Sequence, residues 1–235
     1  MRKILKYFRK NWIRLGFETL VVVVGILGAY SLNNWNEGRK SVIAENEALH
    51  KLKYDLEYDI LMFKNLDSVY GAWENQADHI LKGLYDGSKD KINAIDEYIV
   101  GRNSMNYLTL RKITYEEMIN TGLFYKVRDQ ELSESIVEYY EFANFEIEKL
   151  NKDNRDFYGY LLMTFDANTI SRLFNQKNLE YIDWNWLKDP KSDRYKEFEN
   201  RISWFGATLL ANRLVIKQLT EKAQIAIKKI NDHQL

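Results

Sequence analysis

Apolar positions recur along most of the chain at intervals of three and four, the period of a helix buried on one side. One stripe reads Leu49, Leu52, Leu56, Ile60 and Phe63. A second reads Leu132, Ile136, Tyr139 or Tyr140, Ala143, Ile147, Leu150, Phe157 and Leu161. A third has heptad-like spacing through Phe198, Ile202, Phe205, Leu209, Ile216, Leu219, Ala223, Ile227 and Ile230, with Asn212 in the missing core position. Between the stripes lie turn signals. Asp86-Gly87-Ser88 ends the first long helix, with Gly71 a weak interruption before it, and a short helix over residues 91–100 follows. Residues 103–112 are the least regular stretch and suit a brief extended segment. Thr114-x-x-Glu117 reads as a capping box, Gly122 as a helix stop and Asp129 as the cap of the next long helix. Residues 181–192 hold the only proline, Pro190, and read as a loop. The predicted fold is all-α, with little strand, and its core an antiparallel helical bundle.

Residues 12–32 depart from this pattern, being apolar around the whole helix. As a helix these 21 residues span about 31 Å at ~1.5 Å per residue, close to the hydrocarbon thickness of a bilayer. Their eleven Leu, Ile, Val and Phe residues favour insertion by roughly 3 to 7 kcal/mol, against about 3 kcal/mol for an acid at the centre and less for Glu18 near one end. The competing reading is a secretory signal peptide, whose outline is met by the basic start, the apolar core and Ala29-Tyr30-Ser31. The full length of the span, the glutamate inside it and the continuation of helix beyond Leu32 favour retention as an anchor.

Glu18, Val22, Gly25, Ala29, Leu32 and Asn36 step by four and three, so they share one helical face. Gly25-x-x-x-Ala29 is a small-xxx-small pair, which lets two helices approach closely in lipid. Glu18, Val22, Gly25 and Ala29 are therefore candidates for packing against a second copy or a membrane partner. Two other roles stay open for Glu18: pairing with Arg14 one turn earlier, or handling protons or ions. Trp12 and Trp35 stand where interfacial aromatic anchors sit, with Arg14 beside the first.

Charge sets the expected orientation. The 34 basic and 34 acidic residues balance overall, yet residues 1–32 carry a net +5 and the remainder −5. The basic block lies upstream of the span, so residues 1–11 are expected in the cytoplasm, 12–32 in the membrane and 33–235 as a helical bundle on the far side. A mildly acidic main region with its basic cluster beside an apolar segment argues against nucleic acid as a partner. The absence of cysteine removes disulfides, thiolate catalysis and thiolate zinc sites.

No catalytic constellation stands out. Glu47-x-x-His50 has the spacing of half a bundle di-iron site, but His79 is preceded at that distance by Gln76, so the second half is missing. There is no H-E-x-x-H, glycine-rich phosphate loop or G-x-S-x-G elbow. No cofactor or metal is expected. Trp184 and Trp186 flank Asn185 in the proline-containing loop; they are candidate partner or ligand contacts if exposed, and loop staples if buried.

Two stretches carry a resemblance. ETLVVVVGILGAYSLNNWNE, residues 18–37, and ITYEEMINTGLFYKVRDQELSESIVEYY, residues 113–140, resemble a bacterial family common in Bacteroidota, single-pass membrane proteins described only as a domain of unknown function. The resemblance implies a retained anchor and an extracytoplasmic helical region, and it brings no activity and no catalytic residues. The expected function is a non-enzymatic, membrane-anchored interaction or scaffold protein, assembling as a homo-oligomer or with a membrane partner. A sensor or ligand-binding bundle acting through a membrane partner, and an oligomeric channel or proton path lined by Glu18, are the alternatives.

Overall fold

The computed structural model describes residues 2–86, 108–162, 165–175 and 177–233. The chain is all-α. Helix α1, Arg2–Asp86, is continuous over 85 residues, about 130 Å at ~1.5 Å per residue. It is followed by α2, Ile113–Asn120; α3, Gln130–Leu162; α4, Ala167–Asn175; and α5, Asp193–His233. Single 3-10 turns at Phe124–Lys126, Leu179–Tyr181 and Asn185–Lys188 join them. The helix predicted for 91–100 lies outside the described residues, as do the side chains of Phe157 and Leu161.

Among the described residues the bundle has three long members. Leu49, Leu52, Leu56, Phe63, Leu66 and Tyr70 of α1 are buried against Leu132, Ile136, Tyr139, Tyr140, Ala143, Ile147 and Leu150 of α3 and the α5 stripe from Phe198 to Ile230, of which Ile227 is only partly buried. Three cross-helix bonds fix the direction of α5. The Tyr195 hydroxyl donates to the Leu84 carbonyl at 3.1 Å, Arg213 to Asp67 at 2.9 Å and Lys53 to Asn231 at 2.8 Å, so α5 runs antiparallel to α1. Helix α3 runs parallel to α1, with Tyr139 bonded to Asp59 and, further along both helices, Asn154 to Tyr70. Residues 108–129, a mostly irregular segment with α2 in it, run back along α1 from Asp59 through Asp55 to Glu45 before α3 begins.

Local signals account for most boundaries. Gly122 adopts φ +71°, a conformation that costs a side-chain-bearing residue energy, and its N–H closes α2 on the Ile119 carbonyl. Asp129 caps α3, accepting from the Leu132 N–H at 3.0 Å. The Thr114 capping box does not form. Lys112 is the N-cap of α2, Thr114 is buried inside the helix, and its N–H donates at 3.3 Å to Asp55 of α1. A carboxylate from a neighbouring helix thus does what a local cap would have done. Gly71 does not interrupt α1. A Cβ there would stand 3.4 Å from the Arg213 guanidinium, and the glycine lets that group lie against α1 between Asp67 and Glu74.

Candidate functional site

Residues 13–32 of α1, where described, are exposed throughout, and nothing in the bundle covers them. This is one helix long and apolar enough to cross a membrane. The unbroken helix keeps Glu18, Val22, Gly25 and Ala29 on one face, and a Cβ added at Gly25 would meet no other atom within 4 Å. Glu18 accepts from Arg14 Nε at 3.0 Å, one turn earlier. Its charge at the mouth of the apolar run is thereby matched. Trp35 is exposed with the Arg39 guanidinium 5.8 Å above its ring, while the side chain of Trp12 lies outside the described residues.

Between this segment and the bundle, residues 33–44 form a helical link with no buried position. The Asn33 amide donates to Glu37 at 2.9 Å one turn on, a pairing that supports an isolated helix. The bundle begins at Glu45. That carboxylate is buried, accepts from His233 Nε2 at 3.1 Å and from the Arg128 N–H at 3.4 Å, and so ties α1 to the end of α5 and the entry to α3.

No family model, curated protein or solved structure matches this chain. Its function is read from its own residues.

The most concentrated polar chemistry lies where residues 108–114 cross α1. Asp55 and Asp59, one turn apart, are both buried. Asp55 pairs with Arg111 Nε at 2.9 Å; Asp59 accepts the Arg111 N–H at 2.9 Å and the Tyr139 hydroxyl at 2.7 Å. The Arg111 guanidinium lies 5.0 Å over Tyr54 and 4.9 Å over Tyr58. Tyr140 donates to the Arg111 carbonyl at 3.3 Å and stacks on Tyr115 with ring centroids 4.3 Å apart. Burial pushes the Asp59 carboxyl up to about 6, opposed by its two hydrogen bonds, and raises the Tyr139 and Tyr140 hydroxyls as well. Every one of these groups is used in packing the irregular segment onto the bundle. The cluster's chemistry is that of a clamp.

The loop tryptophans are not presented at the bundle tip. Trp186 is 8% exposed, with its ring edge-to-face against Phe198 at 5.4 Å and the Arg194 guanidinium 5.0 Å above it. Trp184 is half-buried against Phe165 at 6.4 Å. Trp186 thus staples the loop to α5, and Trp184 packs on Phe165 ahead of α4. Within the bundle, Trp204 on α5 is exposed, 51% open, beside a cavity of about 470 Å³ lined among the described residues by Asp156, Glu197, Asn200, Arg201 and Trp204. No sequence signal singled it out, because its spacing on α5 falls one residue off the core stripe. Glu47 and His50 are exposed on α1, and no group of three or more His, Asp and Glu side chains poised for a metal occurs among the described residues.

Proposed function

We propose that this chain is a non-enzymatic scaffold of the bacterial envelope, held in the inner membrane by residues 12–32 with its amino terminus in the cytoplasm and its bundle in the periplasm. Copies associate through the membrane face of Glu18, Val22, Gly25 and Ala29. The observation that carries the reading is the continuity of α1, in which the apolar segment and the first core helix are parts of one unbroken helix. A mere tether needs no such coupling, whereas a scaffold uses it to fix the orientation of its bundle. Two further features support it: the basic block precedes the apolar run, and the Gly25 surface is open to close helix approach. The Arg14–Glu18 pair favours a neutralised membrane edge over an ion path. The resemblance to single-pass proteins of the Bacteroidota-type family fits the same reading.

The test is crosslinking of the full-length protein in native membranes, with Gly25→Leu and Glu18→Ala beside it. The expected result is an oligomer that Gly25→Leu disrupts and Glu18→Ala weakens less. A wild-type chain that stays monomeric at all crosslinker concentrations overturns the assembly claim.

A further inference from the structure

The outer face of α1 within the bundle lacks the charge of a solvated helix. Tyr54, Tyr58, Leu61, Asn65, Ser68 and Ala72 step by four and three, the spacing of a coiled-coil seam, and all six are exposed. None bears a charge, although 29% of the chain is charged and a helix face left to water carries its share. Three are large and open: Tyr54 at 58%, Leu61 at 52% and Tyr58 at 40%. Arg111, whose guanidinium lies over the two tyrosine rings, is matched by Asp55.

Helical phase names the occupant. Gly25, Ile43 and Leu61 follow one another by 18 residues, five full turns at ~3.6 residues per turn. The stripe therefore stands on the side of α1 that carries Gly25 in the apolar segment. We propose that a second copy of this chain packs along the stripe, α1 parallel to α1, and continues in the bundle the association begun in the membrane. This rests on the reading of residues 12–32 as an anchor through which copies meet.

Copies held in one membrane share one direction, so each stripe residue meets its own counterpart across a two-fold axis. The composition suits that arrangement. An uncharged stripe sets no like charges against each other, and Ser68 and Ala72 let the helices approach. The Asn65 amide both donates and accepts, as a self-pair requires, and an Asn in a seam fixes register. Glu57 and Lys64 border one edge, Met62 and Val69 the other, and a two-fold pair lays each charged edge against its partner's apolar one. With Asn65 and Ser68 in it, the stripe adds to an association rather than driving one, so it acts where the anchors have already met.

The chain has no native cysteine, so single cysteines report the contact in the full-length protein in native membranes. Ser68→Cys and Ala72→Cys are oxidised beside Lys217→Cys, an exposed position on α5, and an amine-reactive crosslinker is run on the same membranes. The expected result is a disulfide-linked dimer from both stripe positions at about tenfold or more the yield of Lys217→Cys. Asn65→Lys, which sets like charges across the axis at an exposed position, should reduce that yield severalfold. An oligomer captured by the amine crosslinker, with stripe disulfides no more abundant than those of Lys217→Cys, overturns the stripe contact and leaves the membrane association standing. Stripe disulfides that Asn65→Lys does not reduce overturn it as well. Absence of any oligomer by either chemistry overturns both.

Discussion

Tyr139 donates its hydroxyl to Asp59 at 2.7 Å inside the bundle, where neither side chain has any exposed surface. The bond joins α3 to α1 at the level where residue 111 crosses them, and it makes Asp59 a titrating group in the core. Its carboxyl, near 3.8 when unfolded, is raised to about 6 by burial. The folded chain therefore holds this proton more tightly than the unfolded chain does. The resulting stabilisation is full below about pH 4 and is lost as pH rises through about 6. Melting temperature measured from pH 4 to pH 7 should fall less steeply in Asp59→Asn than in the wild type. Equal slopes would mean that Asp59 is not the titrating group.

Removing the other partner has a different consequence. In Tyr139→Phe the Asp59 carboxylate keeps only the Arg111 N–H, and a buried acceptor is left short of a donor. The expected cost is about 1 to 3 kcal/mol in urea unfolding at pH 7, smaller at pH 5 where the acid carries its own proton. A loss that does not change with pH would point to packing of the ring instead.

Asn212 occupies the core position that interrupts the α5 stripe, and it is 5% exposed. Its carboxamide nitrogen has no hydrogen-bond partner among the described residues. A buried donor left unpaired costs about 1 to 3 kcal/mol. Asn212→Leu should therefore stabilise the full-length protein by about 1 to 2 kcal/mol, read as a higher urea midpoint with an unchanged slope. A destabilised variant would mean that the amide has a partner in the assembled protein, such as a second copy.

The stripes of α1, α3 and α5 were legible because burial of a long helix imposes its period on the sequence. Leu49 to Phe63, Leu132 to Leu150 and Phe198 to Ile230 are buried as their spacing predicts, except that Ile60 and Ile227 are only partly buried and Asp59 and Ala226 beside them are buried instead. What stayed hidden depends on contacts between segments distant in sequence. Asp55 and Asp59, four residues apart on a helix rich in charge, look like a solvated pair until residues 108–114 fold over them. The Thr114 cap was misread for the same reason, since Asp55 supplies its acceptor from 59 positions away. Glu45 looks like any surface glutamate until α5 returns His233 to it. Gly71 reads as a helix weakness because the reason for it, Arg213, lies on another helix. Trp184 and Trp186 were visible as a pair, but only the tertiary fold decides that they face Phe165 and Phe198 while Trp204 faces the cavity wall.

The Arg213 guanidinium joins Asp67 at 2.9 Å and Glu74 at 2.7 Å across Gly71, and both carboxylates hold it charged. Gly71→Ala gains helix propensity of about 1 kcal/mol and brings a methyl group to ordinary contact distance from a flexible side chain. It should be neutral to stabilising. Gly71→Leu must displace the guanidinium from its two partners and should lower the urea midpoint, an effect that Arg213→Ala in the same chain largely removes. Additive losses in the double variant would separate Gly71 from the ion pairs.

The continuity of α1 carries the last prediction. The face of Glu18, Val22, Gly25, Ala29, Leu32 and Asn36 continues at the same spacing through Arg39 to Ile43, an exposed apolar residue in the helical link. If copies meet through the membrane face and the helix is rigid, Ile43 of each copy faces the shared axis. The chain has no native cysteine, so Ile43→Cys gives a clean disulfide reporter. Oxidation in membranes should yield a disulfide-linked dimer. One alanine inserted after Gly38 turns Ile43 by about 100° relative to the anchor and should abolish the crosslink; seven inserted residues complete nearly two turns and should restore it. A flexible link would crosslink equally in all three chains, because rotational phase would no longer pass from the apolar segment to the bundle.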